Sequence, residues 1–105
     1  VLGWRAQKGQ AHHPAATAGV MAFTRGAALE AAEHGVRINA VSPSLAMHPF
    51  LAKATTEETL AELVKTEAYG RPAEVWEVAN VMLFLASDLS SYMTGEIVSV
   101  SSQRA

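Results

Sequence analysis

The feature that most constrains the fold is a pair of short β-type runs that each follow a helical stretch. The first run, Val36–Ser42, is rich in β-branched residues and is stopped by Pro43, and the second covers Glu96–Val100. Strands that alternate with helices are typical of parallel crossover connections. Two full strands are too few to bury both faces of a parallel sheet, which normally lies between helical layers. The pattern therefore predicts an incomplete α/β fold, with further strands supplied by a missing segment or by a partner.

The first helical stretch precedes the first β-type run. It extends from Ala15 to about Glu33, contains strong helix formers, and has Pro14 in its first turn, where a missing N–H breaks no bond. Gly35 occupies the position of a C-terminal cap. A strand end at residues 1–2 and a loop come before this helix.

Two shorter helices are expected between the two β-type runs. Thr55 and Glu58 form a capping-box pattern for the second helix, which ends at Gly70. The third helix opens at Arg71-Pro72, and its apolar stripe predicts a well-buried helix. The acidic residues of the segment 50–69 are expected to form a solvated helix face; they are Glu57, Glu58, Glu62 and Glu67. The stripe of the third helix comprises Val75, Val78, Met82 and Leu85.

Composition narrows the class of protein. The chain has 105 residues, enough for one small domain, with 8 basic and 10 acidic residues and a formal net charge of −2. A basic footprint for nucleic acid is missing, and no apolar run reaches the ~20 residues of a membrane-spanning helix. Cysteine is absent, which excludes disulfides and zinc–thiolate sites and suits a reducing compartment. We therefore expect a cytoplasmic protein with no nucleic-acid or membrane partner, and we see no signal peptide.

Two neighbouring histidines are the obvious metal candidates. His12 and His13 lie about 100° apart on a helix, and neither has a His or an acidic residue three or four positions further on. We therefore expect no metal site.

Three blocks of sequence, with their spacing, resemble the C-terminal half of the short-chain dehydrogenase/reductase family. They are Gly35–Pro43, Gly70–Ala79, and the stretch from Phe84–Asp88 through Tyr92–Gly95. The resemblance implies that residues 1–105 correspond to the C-terminal half of a Rossmann-type domain. It also implies NAD or NADP as cofactor and hydride transfer between nicotinamide and an alcohol or ketone. The family's Gly-x-x-x-Gly-x-Gly turn, which cradles the pyrophosphate, and its catalytic Ser have no counterpart in these 105 residues.

The family's catalytic pair is a Tyr and a Lys four residues apart on a long helix. Counting back from Ala18 puts His13 at the Tyr position and Thr17 at the Lys position. A phenol has a pKa of about 10, and a nearby ammonium lowers that pKa toward neutrality. Thr17 is neutral and too short for this role or for holding the nicotinamide ribose. The resemblance therefore implies an inactive pair, with a catalytic His13 as the alternative because imidazole titrates near about 6.5.

The loop after the first β-type run aligns with the family segment that touches the nicotinamide carboxamide. It contains Pro43, Ala46 and His48, and Ser44 stands where the family usually has Gly. The backbone of Ala46 can still offer an N–H and a C=O. The resemblance implies that these residues contact the cofactor, whereas an ordinary loop after a strand is the alternative.

Two functions remain open from the sequence. The first is a truncated and catalytically impaired oxidoreductase, complemented by an N-terminal half encoded elsewhere if it is to act on a small molecule. The second is a non-enzymatic module that associates with itself or with an intact relative. It would do so through the Ala-rich helix, which is the first helical stretch from Ala15 to about Glu33, and through an exposed sheet edge. The tail at 99–105 faintly resembles a branch linked to coenzyme A thioester steps of sterol-ring breakdown, which implies a bulky hydroxyl or keto substrate for an intact relative.

Overall fold

A computed structural model of the protein describes residues 12–44, 46–47 and 56–102, and it shows helices alternating with parallel strands. The predicted strand end at residues 1–2 lies outside the described residues. In chain order the elements are α1 (His12–Ala32), β1 (Ala40–Pro43), β2 (Ala46–Met47), α2 (Glu57–Lys65), β3 (Ala73–Glu74), α3 (Val75–Ala86), a 3₁₀ turn (Asp88–Ser90) and β4 (Ile97–Val100).

The strands form two parallel pairs within the described residues. β1 pairs with β4, with Ala40 opposite Ile97 and Pro43 opposite Val100. β2 pairs with β3, with Ala46 opposite Ala73. The α/β class, the parallel crossover and the incomplete sheet are confirmed.

β1 starts at Ala40, four residues later than predicted, because the preceding backbone bonds to a turn instead of a strand. The Ile38 N–H donates to Thr94 Oγ1 at 3.1 Å, and the Ile38 carbonyl accepts from the Gly95 N–H at 2.7 Å. The Asn39 side chain donates to the Met93 carbonyl at 3.0 Å and accepts from the Glu96 N–H at 3.0 Å. Side chains therefore satisfy groups that a regular ladder would otherwise pair.

Pro43 belongs to β1, whereas the sequence predicted that it stops the strand. The donors that reach β4 come from alternate residues: the Ala40 N–H bonds to the Glu96 carbonyl at 2.9 Å, and the Ser44 N–H to the Val100 carbonyl at 3.1 Å. The nitrogen of Pro43 therefore points away from β4, and its missing N–H costs no bond in this pair.

α1 begins at His12, three residues before the predicted start, and ends as predicted at a glycine cap. Gly35 has a φ of 69°. Its N–H bonds to the Ala32 carbonyl at 3.1 Å, and the Val36 N–H bonds to the Ala31 carbonyl at 3.2 Å. This pair of bonds is a Schellman motif, which favours glycine because only glycine enters the left-handed region without a Cβ clash.

The capping box predicted for α2 is wrong by one residue. Thr56 is the N-cap, and its Oγ1 accepts from the Thr59 N–H at 3.1 Å. The helix also ends earlier than predicted, at Lys65, where the Thr66 hydroxyl donates to the Leu63 carbonyl at 2.6 Å. Gly70, with a φ of 67°, lies in the turn that follows.

α3 begins at Val75 and not at Arg71-Pro72, because Ala73 and Glu74 form β3. Glu74 is the N-cap of a capping box, in which its N–H donates to Glu77 Oε1 at 2.9 Å. Both carboxylates lie at the positive end of the helix dipole, which stabilises negative charge.

The predicted burial of α3 is wrong for this chain by itself. None of its described residues is buried, and Trp76 and Leu83 are 60% and 68% exposed. Val78, Val81 and Leu85 are half-buried on the side that faces the sheet. A sheet of two strands covers one side of the helix only, so the remaining apolar side chains face outward.

The buried apolar residues of the described chain lie along one face of α1. Met21 and Ala28 are buried together with Thr24, whose hydroxyl bonds to the Val20 carbonyl at 2.8 Å. Gly95 lies against this face with a φ of 73°, and a Cβ there would come within 3.3 Å of the Ala28 Cβ. The close approach of the helix to this turn therefore requires glycine.

Arg37 joins β1 to the end of α3 and to the turn that precedes β4. Its Nη2 donates to the carbonyls of Leu85 at 3.0 Å and Ser87 at 3.1 Å. Its Nη1 donates to the carbonyls of Ser90 at 2.9 Å and Met93 at 3.1 Å. The carbonyls at the end of a helix have no partner within the helix and carry partial negative charge, so a guanidinium satisfies several of them at once.

We expect Arg37→Lys to lower the free energy of unfolding by about 2–3 kcal/mol, because a lysine ammonium cannot reproduce the planar fork and leaves carbonyls unpaired. Urea denaturation followed by circular dichroism measures this change. Arg25→Lys on the exposed side of α1 is the matched control and should change stability little. Equal effects of the two substitutions would contradict the role assigned to Arg37.

Candidate functional site

The two positions aligned with the family's catalytic pair lie one helical turn apart on α1. Thr17 is half-buried and lies on the same face as the buried Met21 and Thr24. His13 is part of the helix, but its side chain lies outside the described residues. The helical spacing required of a Tyr-x-x-x-Lys pair is therefore present, with a neutral hydroxyl at the second position.

The residues expected to contact the cofactor follow the carboxyl end of β1. Pro43 is the last residue of that strand and is exposed, and Ala46 pairs with Ala73 in the second parallel pair. Ligands of open α/β sheets bind outside the carboxyl ends of the strands. His48 lies outside the described residues. The structure thus brings Pro43 and Ala46 to the expected edge, and the contact with a cofactor stays a prediction.

A cavity of about 100 Å³ opens beside the same edge, and the sequence did not predict it. Its walls come from the residue that follows β1, from the end of β4, and from the segment that connects α2 to α3. The lining residues are Ser44, Val100, Ser101, Ser102, Glu67, Tyr69, Arg71, Ala73 and Glu77.

Glu67 is the buried acid of this cavity, which corrects the prediction of a solvated carboxylate. It is 5% exposed, whereas the other acids of that segment, Glu57, Glu58 and Glu62, are exposed as predicted. α2 ends at Lys65, so the helical spacing that grouped these acids on one face does not extend to Glu67. The burial comes from contact with the end of β4, which no local pattern shows.

The segment around Glu67 is attached to Ser102 by three hydrogen bonds. Ser102 Oγ donates to Glu67 Oε2 at 2.9 Å and accepts from the Tyr69 N–H at 3.4 Å. The Ser102 carbonyl accepts from the Ala68 N–H at 3.0 Å. Glu67 Oε1 is buried and has no hydrogen-bond partner among the described residues. One carboxylate oxygen at this cavity therefore lacks the donor that buried oxygens normally have.

Arg71 and Glu77 form a two-point ion pair at the cavity wall. Arg71 Nη1 lies 2.7 Å from Glu77 Oε1, and Nη2 lies 3.2 Å from Oε2. The hydrogen bond from Arg71 is the largest cause that lowers the pKa of Glu77 from 4.5 to about 2, followed by the hydrogen bond from the Glu74 backbone. The same pairing raises the pKa of Arg71. The guanidinium carbon also lies 5.9 Å from the centre of the Tyr69 ring.

No group of three His, Cys, Asp or Glu side chains is placed to hold a metal ion in residues 12–44, 46–47 and 56–102. Over the same residues, no helix has the length and apolar character to cross a membrane.

Comparison with known proteins identifies the family to which the chain belongs. A family model described as enoyl-(acyl carrier protein) reductase matches residues 1–102. The chain therefore belongs to this family of short-chain dehydrogenases/reductases, which confirms the resemblance found in the sequence. As a class these enzymes use NAD or NADP.

Individual relatives agree with the family and are longer than this chain. The chain is 64% identical over 103 residues to a (5R,7aS)-5-hydroxy-7a-methyl-1-oxo-2,3,5,6,7,7a-hexahydro-1H-indene-carboxyl-CoA reductase of Mycobacterium tuberculosis, a match to 98% of the chain and 39% of the relative. It is 37% identical to the 3-oxoacyl-[acyl-carrier-protein] reductase FabG of Thermotoga maritima, a match to 95% of the chain and 40% of the relative.

Solved structures lead to the same class. A short chain dehydrogenase from Mycobacterium smegmatis matches 100% of this chain and 36% of its own, with a TM-score of 0.76 and 61% identity. Levodione reductase matches 96% of this chain and 42% of its own, with a TM-score of 0.85 and 30% identity. The chain thus spans about two-fifths of the length of the proteins that it matches.

The Arg71–Glu77 pair predicts an acid-dependent stability. Because the pKa of Glu77 is depressed in the folded state, the stabilisation is complete above its usual value of 4.5 and is lost as pH falls toward about 2. We expect Glu77→Gln to flatten the fall of the melting temperature over this window, measured by circular dichroism. Arg71→Gln should flatten it partly, since the Glu74 N–H still bonds to Glu77. Identical pH profiles of Glu77→Gln and the unsubstituted chain would contradict the assignment.

Proposed function

We propose that this chain is the C-terminal part of an NAD(P)-dependent oxidoreductase that acts on an alcohol or ketone, and that its proton-transfer pair is impaired. The single observation that carries the proposal is the place of Thr17. It occupies the second position of the family's catalytic pair on the half-buried face of α1, with no ammonium to offer.

The substrate class follows from the relatives and the tail. The 64% identical relative of Mycobacterium tuberculosis is named as a reductase of a hydroxylated fused-ring ketone that carries a coenzyme A thioester. The tail at 99–105 resembles the same branch. We therefore propose a bulky hydroxyl or keto substrate for the assembled protein, which we place in the cytoplasm.

The residues present fit a dinucleotide only in part. Pro43 and Ala46 lie at the carboxyl end of a parallel strand pair, where the nicotinamide end would be held by backbone groups. Thr17 cannot supply the cation that holds the ribose in the family, and no Gly-rich phosphate turn occurs in these 105 residues. We propose that an N-terminal half supplies the phosphate site, encoded either in the same protein or separately.

Loss of the Tyr–Lys pair removes the proton-transfer group as well as the cation that holds the ribose in the family. A general acid or base contributes about 10²–10⁴-fold to a rate when its pKa lies near the working pH. Neither the Thr17 hydroxyl nor the shorter imidazole of His13 reproduces a phenol whose pKa an ammonium has lowered. We therefore propose that the fold is retained and that its proton transfer is slow.

A chimera tests this proposal. The portion of the Mycobacterium tuberculosis relative that this chain does not match is placed ahead of residue 1. We expect the chimera to reduce the relative's ketone substrate about 10²–10⁴-fold more slowly than the same chimera carrying His13→Tyr and Thr17→Lys. NAD(P)H absorbance measures both rates. His34→Tyr at the exposed end of α1 is the control and should restore nothing. Full activity of the unsubstituted chimera, lost on His13→Ala, would show instead that His13 is catalytic.

The exposed apolar surface supports association as a second candidate function. Phe23 and Leu29 on the Ala-rich α1 are 74% and 78% exposed, and Leu83 on α3 is largely exposed as well. Apolar side chains that are exposed in this number mark a surface that another polypeptide covers. The candidates for that polypeptide are a second copy through α1 and the complementing N-terminal half.

Light scattering on the isolated chain separates these candidates. If α1 mediates self-association, we expect a dimer or larger assembly that Phe23→Glu converts to monomer, because a charge is costly at an apolar interface. Leu83→Glu on α3 is the matched control and should leave the assembly intact. A monomer at all concentrations would contradict self-association and leave the complementing half as the partner.

A further inference from the structure

Among the described residues, the Glu67 carboxylate is the charged group of the cavity beside β1 and β4 that no oppositely charged neighbour compensates. Arg71 and Glu77 neutralise each other through their two-point ion pair, whereas Glu67 bonds only to the Ser102 hydroxyl. Glu67 is 5% exposed, and its Oε1 has no partner among the described residues. A buried carboxylate oxygen without a donor is costly, so the site favours a ligand that brings a donor and a positive charge.

The other walls define the shape of that ligand. Ser44 and Ser101 line the cavity together with Val100 and Ala73. A serine hydroxyl can accept a hydrogen bond, whereas valine and alanine side chains are apolar. An ammonium group has three donors and no acceptor, which suits one carboxylate oxygen and two hydroxyls. The last torsion of a glutamate is soft, so the carboxyl group of Glu67 can adjust to a bound ammonium.

The volume limits the length of the chain behind the charge. About 100 Å³ is the space of roughly three water molecules in the liquid. This accommodates an ammonium and a short alkyl stem.

We propose that the cavity at Glu67 binds a primary alkylammonium group, with its nitrogen on Glu67 and its stem against Val100 and Ala73. The group comes either from a free small amine or from a lysine side chain of another polypeptide. The proposal does not use Thr17, Pro43 or Ala46, and Ser44 is the one cavity residue that belongs to the segment aligned with the family's nicotinamide contact. The titration is carried out without dinucleotide, so its outcome does not depend on the hydride-transfer function.

Amide ¹H–¹⁵N spectra of the full chain, titrated with propylammonium chloride, test the proposal. We expect saturable shifts of the Ser44, Tyr69 and Ser102 signals. Glu67→Gln should weaken binding by roughly tenfold or more, since it removes the charged acceptor. Glu62→Gln, which alters an exposed acid paired with Lys65, is the matched control and should bind as the unsubstituted chain does. Unchanged affinity of Glu67→Gln would overturn the proposal.

Neutral and donor-free probes keep the test decisive if Glu67→Gln does not fold. On the unsubstituted chain, n-propanol lacks the charge and tetramethylammonium lacks the N–H donors, so neither should saturate these signals. Saturation by either probe with the affinity of propylammonium would overturn the proposal. Nα-acetyl-lysine methylamide distinguishes the sources: binding of both amines supports a lysine side chain, and binding of propylammonium alone supports a free amine.

Discussion

The guanidinium of Arg37 is the contact on which the described fold depends. It lies just before β1 and bonds to carbonyls at the end of α3 and in the turn that leads to β4. These segments are about fifty residues away in sequence, so the contact closes a long loop. Because one side chain joins the segment before β1 to the segment before β4, the two strands meet in register, although no third strand pairs with them among the described residues. The Asn39 bonds to Met93 and Glu96 extend this attachment by two residues.

Much of the architecture could be predicted from local sequence patterns, because each of these patterns has a physical cause in neighbouring residues. The order of elements, the parallel pairing and the Gly35 cap rest on periodicity and on a left-handed backbone position. The start of β1 could not be predicted, since it depends on Thr94 and Asn39 satisfying backbone groups across fifty residues. The predicted burial of α3 was wrong for a related reason. An apolar stripe shows which face a helix can bury, but it does not show whether the same chain provides the surface that covers this face.

The candidate site likewise has one part that the sequence identified and one part that it did not. The resemblance to the family identified positions 13 and 17, and the structure keeps their spacing because α1 needs only helix formers and a face that packs through Met21 and Ala28. His13 and Thr17 are both compatible with the helix, so the proposed loss of proton transfer requires no change in the scaffold. Glu67 stayed hidden because its environment is made by Ser102, which lies 35 residues away. Because Glu67 lies two residues after the end of α2, no helical periodicity in the sequence indicates that it is buried.

Pro43 has a consequence for how the sheet can grow. Its nitrogen lies on the side of β1 that faces away from β4, where an added strand would look for donors. An incoming strand finds the Val41 N–H on that side but no hydrogen at Pro43, so its ladder is anchored toward the amino end of β1 and loosens toward the carboxyl end. Such a gap discourages indiscriminate stacking of strands from other molecules. It also leaves the carboxyl end of β1 without a donor on that side, at the edge where ligands of open α/β sheets bind.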